Sequence, residues 1–268
     1  GQDWIEDPSN RDTAFARVRV RKAIDEGGLE VRNLARSAYR FGRARLALEA
    51  AASNLLACSV RIHPAGFAVI KRTPMEAAPD EVSLRALSRV VAAIGGRGYG
   101  PRLEKLERLH RGLFGDRGKT GATLGGCRVM ADEETVLVCR EARGLPAPLA
   151  VQSGDRLTWD RRFDIQFGEN IGGGIRLADL GAQGWADVAG NRPDLRKSPI
   201  PGPARITLPA LFDDLGVYSV PHLGFRRDGE AERGSPHGRE ITKIRFFPPN
   251  SLSSIGFFLR NEPDILSL

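Results

Sequence analysis

Cysteine and histidine, the residues that most often build metal centres and catalytic dyads, are scarce in this sequence. It has three cysteines and four histidines in 268 residues. Cys58, Cys127 and Cys139 are far apart, odd in number and without metal-ligand spacing, which argues against a zinc site or a disulfide framework and favours a reducing, cytoplasmic compartment. No Ser-His-Asp or Cys-His signature occurs locally, so the sequence supports no catalytic constellation of that type and predicts no metal ligands.

Long apolar runs are also missing. No stretch approaches the length needed to cross a bilayer, and no charged-then-apolar signal segment opens the chain, so the sequence predicts a soluble protein without a membrane partner. The length is sufficient for two domains. Because the first residue is Gly1 rather than methionine, we expect the remnant of a cleaved tag at the start of the sequence.

Two glycine-rich segments resemble nucleotide-binding loops only superficially. Residues 115–120 end like a P-loop, but Leu113 stands where the first glycine should be and no buried strand precedes it. This segment is predicted to be a flexible basic loop. Residues 172–174 are three glycines without the strand-to-helix context of a dinucleotide loop, and they predict a tight turn.

Positive charge is concentrated in the first part of the chain. The formal net charge is +7, and residues from 145 onward contribute 15 basic and 15 acidic side chains, so the whole excess precedes them. Residues 11–45 alone contain 10 basic and 4 acidic residues. Such a surplus attracts a polyanion by counterion release.

Within this basic region, four arginines recur at steps of four, four and three, which places them on one side of a predicted helix. They are Arg32, Arg36, Arg40 and Arg43. Apolar residues lie roughly opposite, so a solvated face of an amphipathic helix is the alternative to RNA contact. The near absence of interleaved acidic residues favours RNA. Arg102 and Lys105, on the outside of a later predicted helix, are assigned to the same RNA-binding role.

The order of predicted elements is helices first and strands later, which defines an α+β fold in two domains. Helical patterns cover residues 29–56, 82–94 and 102–113, and hairpins are expected at 58–70 and at 123–130 with 135–140. A linker at 144–154 is followed by strands at 157–167 and 241–247, with others around Ile206, Leu208, Val217, Tyr218 and Val220. A turn of helix is expected at 211–215. The first domain is therefore helical with a closing β-hairpin, and the second is a small, strand-rich α/β domain.

The segment near the start of the chain carries the most specific motif. Pro8 and the polar residues around it predict a turn and a helix N-terminus, after which Arg17 and Arg21 lie four residues apart on one helix face. Two guanidinium groups beside exposed amides suit a phosphate-bearing substrate. Spacing alone favours a capped surface helix with solvated arginines over an anion site.

The order W-I-E-D-P-S-N followed by F-x-R-x-x-x-R resembles the tRNA(Ile)-lysidine synthetase family. The matching positions are Asp7, Ser9, Asn10, Arg17 and Arg21. Val18 departs from the pattern, because an asparagine is common there. The strands TLGGCRV and VLVCRE are similar to the family's middle domain, and LPALFDDLGVYSVPHLGF resembles the closing motif of its C-terminal domain. The family's Ser-Gly-Gly-x-Asp-Ser loop does not occur in the sequence, so the resemblance implies a C-terminal fragment without the PP-loop ATPase domain.

The resemblance implies an enzyme that uses ATP and Mg²⁺ to adenylate the wobble cytidine of an isoleucine tRNA and then joins free lysine to it. Arg17 and Arg21 would act in catalysis, and Asp7, Ser9 and Asn10 would bind substrate. Residues 1–22 would end the nucleotide-binding domain, 23–144 would select the tRNA, and 145–268 would bind a distant part of it. This chain alone is expected to be inactive and to bind no cofactor.

The sequence leaves three points open. A non-catalytic RNA-binding module from another protein is the first alternative, and an interaction scaffold that does not bind RNA is the second. The sequence also leaves open whether the chain forms a homodimer.

Overall fold

The structure, a computed structural model, describes residues 18–20, 27, 30–115, 121–169, 171, 173–227, 241–250 and 252. The chain divides into two compact units, one of residues 1–50 with 257–268 and one of residues 51–256. The functional boundaries predicted after residues 22 and 144 rest on resemblance and linker composition, and they stay predictions.

A long helix, α1, covers Val31–Ser59 and confirms the helix predicted over residues 29–56. It contains no proline and one glycine, and it is rich in alanine, leucine and arginine, which favour helix. Ala52, Leu55 and Leu56 are buried, whereas residues 31–47 are almost all exposed. Packing therefore stabilises the C-terminal turns of α1.

Five antiparallel strands follow α1 and form a sheet in the order β1-β2-β5-β4-β3. They are β1 (Val60–His63), β2 (Phe67–Lys71), β3 (Gly121–Leu124), β4 (Cys127–Ala131) and β5 (Thr135–Arg140). The hairpin predicted at 58–70 is confirmed, as is the pairing of β4 with β5. A single strand over 123–130 is wrong, because Gly125 and Gly126 have positive φ and form a turn between β3 and β4.

Three helices accompany this sheet. They are α2 (Arg72–Ala77), α3 (Asp80–Ile94) and α4 (Leu103–His110). Helix α3 confirms the helix predicted over 82–94, and it packs on β2 and β5. A π-helical turn, Arg111–Gly115, extends α4 across the predicted range of 102–113. Leu103, in the first turn of α4, is 60% exposed, whereas Leu106 and Leu109 are buried.

Two further antiparallel sheets are formed by the strands after residue 144, in the orders β12-β11-β10-β9-β6 and β13-β8-β7. The strands are β6 (Leu149–Ala150), β7 (Arg156–Trp159), β8 (Phe163–Phe167), β9 (Arg176–Asp179), β10 (Pro209–Asp213), β11 (Gly216–Val220), β12 (Phe225–Arg226) and β13 (Ile241–Phe246). Helices α5 (Gly181–Asn191) and α6 (Gly202–Arg205) and the 3₁₀ turns Pro193–Lys197 and Pro221–Leu223 connect them. The predicted α+β class is confirmed.

Several local predictions in this region need correction. The stretch 157–167 is a hairpin rather than one strand, because β7 and β8 pair through a tight turn. The turn of helix predicted at 211–215 is wrong, since Leu211 lies on β10 and pairs with β9 and β11. Ile206 and Leu208 were predicted to lie on a strand but fall in the bend before β10, and the predicted linker contains strand β6.

One buried cluster is shared by the strands before and after residue 144. Phe67 and Cys139 of the first sheet belong to the same cluster as Leu180, Val188 and Leu208 from the second part. Burying a side chain of this size contributes about 1.5–3 kcal/mol. The two parts of residues 51–256 are therefore stabilised by one another.

Candidate nucleic-acid interface

The residues predicted to serve adenylation lie outside the described part of the chain. They are Asp7, Ser9, Asn10, Arg17 and Arg21. The described residues 18–20 between the two arginines are helical, and Arg19 is exposed. The assignment of this segment to catalysis and substrate binding stays a prediction.

The arginine stripe, defined as Arg32, Arg36, Arg40 and Arg43, lies on α1, and all four side chains are exposed. The helix keeps the predicted spacing, so the four Cα atoms follow one side of it over about three turns. Glu30, just before α1, accepts a hydrogen bond from Asn33, and no described carboxylate forms an ion pair with the stripe. The stripe can therefore follow a row of phosphates.

The opposite side of α1 is apolar and also exposed. Val31 is 67% exposed, Leu34 41% and Phe41 75%. The predicted amphipathic pattern is present on α1. In the described structure, however, no other element packs against the apolar face over residues 31–47.

The other two predicted RNA-binding residues belong to the larger unit. Arg102 immediately precedes α4 and Lys105 lies in its first turn, and both are exposed. Lys105 and Arg108 line a cavity of about 210 Å³ between α4 and β3, whose walls include Leu109 and Leu113. This places two cations at the rim of an apolar groove.

Sequence reasoning missed a buried cluster of charge, which we call the Asp160 cluster: Arg140, Asp160 and Arg162. The carboxylate of Asp160 accepts hydrogen bonds from Arg140 Nε at 3.0 Å and from Arg162 Nε at 2.7 Å. Only 1% of Arg162 and 8% of Arg140 and of Asp160 side-chain surface is exposed. Burial lowers the pKa of Arg162, and the charge of Asp160 opposes this shift.

Arg140 also fixes the surrounding backbone. Its guanidinium donates to the carbonyl oxygens of Gly126, Glu141, Arg143 and Gly144 at 2.9–3.3 Å. With Asp160 included, its donors are fully engaged. Arg140 is therefore a structural residue that holds loops together.

Three tight turns meet beside this cluster and enclose a cavity of about 430 Å³, which we call the turn cavity. The turns are Gly95–Arg97, Gly125–Gly126 and Asp160–Arg161, and the lining includes Arg97, Arg140 and Arg161. Gly95 and Gly96 indicated the end of a helix in the sequence, whereas Gly125 and Gly126 were predicted to lie within a strand. Asp160 suits the first central position of a turn with positive φ at both positions, but Arg161 stands where glycine is usual, so the pair did not mark a turn in the sequence.

The turns approach so closely that glycine is required at Gly95. A Cβ atom there would overlap the carbonyl oxygen of Gly125 and lie 2.9 Å from that of Val91. We expect Gly95→Ala to lower the free energy of unfolding by about 3 kcal/mol, since backbone atoms must move. The control is Gly98→Ala, where the added Cβ meets nothing within 4 Å. Chemical denaturation of both variants measures the difference, and equal stabilities would show that the turns can separate at little cost.

The three histidines of the described residues serve structural roles. His63 Nδ1 accepts a hydrogen bond from the amide of Ala65 at 3.1 Å, which closes the β1–β2 turn. His110 Nε2 lies 2.5 Å from Ser83 Oγ in the core, and burial lowers the pKa of His110 while Asp80 opposes the shift. His222 packs edge-on against a phenylalanine ring. No group of three or more His, Cys, Asp or Glu side chains that could hold a metal ion occurs within the described residues.

All three cysteines are free thiols. Cys127 and Cys139 are buried, and burial raises their pKa to about 12 and about 11. Cys58, in the last turns of α1, is exposed. In the described part of the chain, no helix is both long and apolar enough to span a membrane.

Comparison with known proteins finds similarity to bacterial enzymes named for a tRNA substrate. The tRNA(Ile)-lysidine synthase of Ruegeria pomeroyi is 30% identical over 242 residues, which cover 87% of this chain and 53% of that protein. The Rhizobium meliloti tRNA(Ile)-lysidine synthase is 36% identical over 169 residues, or 62% of this chain and 35% of the relative. That of Caulobacter vibrioides is 29% identical and matches 86% of this chain and 50% of its own length. No family model matches the chain.

These matches place the chain among the relatives of bacterial enzymes that are named for a tRNA. The chain belongs to the tRNA(Ile)-lysidine synthase family. It spans about half the length of the relatives that match most of it, and the matched part is their C-terminal portion. The resemblance stated from the motifs is confirmed.

Proposed function

We propose that this chain is the tRNA-binding C-terminal part of a tRNA(Ile)-lysidine synthase. The whole enzyme joins free lysine to the wobble cytidine of the isoleucine tRNA anticodon with ATP and Mg²⁺. Family membership supports this reaction, and the observation that carries the RNA-binding role is the exposed arginine stripe on α1. A row of exposed guanidinium groups without carboxylate partners among the described residues favours contact with a phosphate backbone.

In this proposal, three parts of the chain have different roles in the reaction and in tRNA binding. Residues 1–22 complete the adenylation site, where Arg17 and Arg21 neutralise phosphate charge and Asp7, Ser9 and Asn10 contact substrate. Residues 23–144 select the tRNA, and residues 145–268 hold a distant part of it. The reaction takes place in the cytoplasm, and the three free thiols agree with a reducing compartment.

The described residues do not fit a magnesium or ATP site of their own. Their carboxylates are dispersed, and the Asp160 carboxylate is engaged by two arginines. We therefore assign nucleotide and metal binding to the nucleotide-binding domain that the family resemblance implies, and no chemical step to the described residues.

The RNA-binding role predicts a strong dependence of affinity on salt. Fluorescence anisotropy of labelled isoleucine tRNA over a salt series should give a log-log slope of a few units. Arg36→Gln combined with Arg40→Gln should lower the slope by about one to two, because each lost phosphate contact removes about one released counterion.

The matched control is Arg176→Gln combined with Arg196→Gln, which removes the same charge from two exposed arginines outside the stripe. Its slope should change by less than about half a unit. Equal effects of the two pairs would mean that total charge, and not the stripe, sets the affinity. A chain that binds no tRNA would favour the interaction scaffold instead.

A further inference from the structure

The turn cavity has an excess of positive charge that the protein itself does not use. Its single lining carboxylate, Asp160, is already bound by Arg140 and by the buried Arg162. Arg140 is engaged by five carbonyl and carboxylate groups around it. Two further arginines, Arg97 and Arg161, line the same cavity and are exposed.

Neither arginine is neutralised by a carboxylate of the described residues, and Arg97 is also held in place. Arg97 Nε donates to the carbonyl oxygen of Gly125 at 3.1 Å, which leaves the terminal nitrogens of that guanidinium available. Within the described residues, no carboxylate forms an ion pair with Arg97 or Arg161. The nearby end of α3 does not cancel this charge, because its last carbonyls accept hydrogen bonds from Gly95, Gly96 and Arg97 amides.

The backbone conformation at Arg161 is a second feature that indicates a functional site. Asp160 and Arg161 have φ of 47° and 56°, and the Arg162 amide donates to the Trp159 carbonyl at 3.0 Å, which defines a two-residue hairpin turn. Turns of this geometry favour glycine at the second central position. An arginine there is held in an unfavourable backbone region, and such strain is typical of functional sites.

We propose that the turn cavity binds a phosphate group of the tRNA backbone, with Arg97 and Arg161 donating charge-assisted hydrogen bonds to it. Guanidinium groups are suited to bind phosphate oxygens in pairs. Leu145 and Pro146 provide an apolar wall for the adjoining sugar, and a volume of about 430 Å³ is sufficient for a phosphate with its nucleoside. This inference rests on the proposed function and adds a second RNA contact beyond α1.

Arg161→Gly tests the proposal, because glycine suits the turn. The variant should unfold at the same or a higher temperature than the unchanged chain, whereas its affinity for isoleucine tRNA at about 0.1 M salt should fall about 10-fold. Arg97→Gln should lower affinity similarly. The control Arg196→Ala removes one exposed arginine that does not line the cavity, and it should change affinity by less than about 2-fold.

Phosphate-ethylation interference adds a direct readout. One or two tRNA phosphates should be found whose ethylation weakens binding to the unchanged chain but not to Arg161→Gly. If Arg161→Gly and Arg97→Gln both bind tRNA like the unchanged chain, the site is overturned while the proposed function stands. No tRNA binding by the unchanged chain overturns both.

A separate titration distinguishes binding of RNA from binding of a free nucleotide. AMP, ATP and inorganic phosphate are titrated against the unchanged chain and Arg161→Gly, and only weak, millimolar binding is expected. Micromolar AMP or ATP binding that Arg161→Gly abolishes, with tRNA affinity unaltered, would overturn the assignment to RNA.

Discussion

Replacing Asp160 with alanine is expected to lower the free energy of unfolding by about 3–5 kcal/mol. The carboxylate lies 3.0 Å from Arg140 Nε and 2.7 Å from Arg162 Nε, and all three side chains are nearly inaccessible to water. Alanine would leave two buried guanidinium groups without a counter-charge, which costs more than the loss of an ordinary hydrogen bond. Urea denaturation followed by circular dichroism measures the change.

The same hairpin supplies the control for this measurement. Asp164 pairs with Arg156 at 3.0 Å, but 68% of the Arg156 side chain is exposed, so Asp164→Ala should cost no more than about 1 kcal/mol. Asp160→Asn retains a side chain that tolerates positive φ and so separates the loss of charge from the turn. If Asp160→Asn were as mild as Asp164→Ala, the buried charges would not depend on this carboxylate.

The second large effect concerns the predicted adenylation site. In a protein that joins this chain to a nucleotide-binding domain, Arg17→Ala or Arg21→Ala is expected to slow lysidine formation by about 10²-fold. Each guanidinium would stabilise charge that develops at the α-phosphate of the transferred adenylyl group and on the departing pyrophosphate, and its loss removes a preorganised donor. Single-turnover assays with enzyme in excess over tRNA, and with saturating ATP and lysine, measure the rate of the chemical step.

Arg19→Ala is the matched control, because residue 19 lies on the opposite side of a helix from residues 17 and 21. Arg19 is exposed and helical. Its replacement removes the same charge and should change the rate by less than about 3-fold. Normal rates in both Arg17→Ala and Arg21→Ala would rule out the anion site assigned to this helix.

Elements whose apolar residues recur at a regular spacing within one segment could be predicted from the sequence. Elements whose limits depend on contacts with residues far away in the sequence could not. Helix α3 was predicted because its buried positions recur within one helix. The β7–β8 hairpin was predicted as one strand, since Trp159 and Phe163 lie opposite each other and an even separation keeps both on the same face. Alternation therefore continues through the turn and conceals it.

The candidate interface likewise contains features that local spacing predicted and features that it could not predict. Spacing predicted the stripe, and Arg36 and Arg40 are indeed exposed on α1. Spacing could not predict that Phe41 on the other face is also exposed, because exposure depends on what packs against a helix. The Asp160 cluster could not be predicted because Arg140 and Asp160 are 20 residues apart, and no local pattern links residues at that separation.

The burial of two of the three thiols makes the chain suitable for spectroscopic labelling without any substitution. Thiolates are the reactive species, so Cys127 and Cys139, with pKa values raised by burial to about 12 and about 11, should resist maleimides at neutral pH. Cys58 is exposed near the end of α1. A single fluorophore or nitroxide would therefore attach there and report on the surroundings of the C-terminal end of α1, the helix that carries the arginine stripe, as RNA is added.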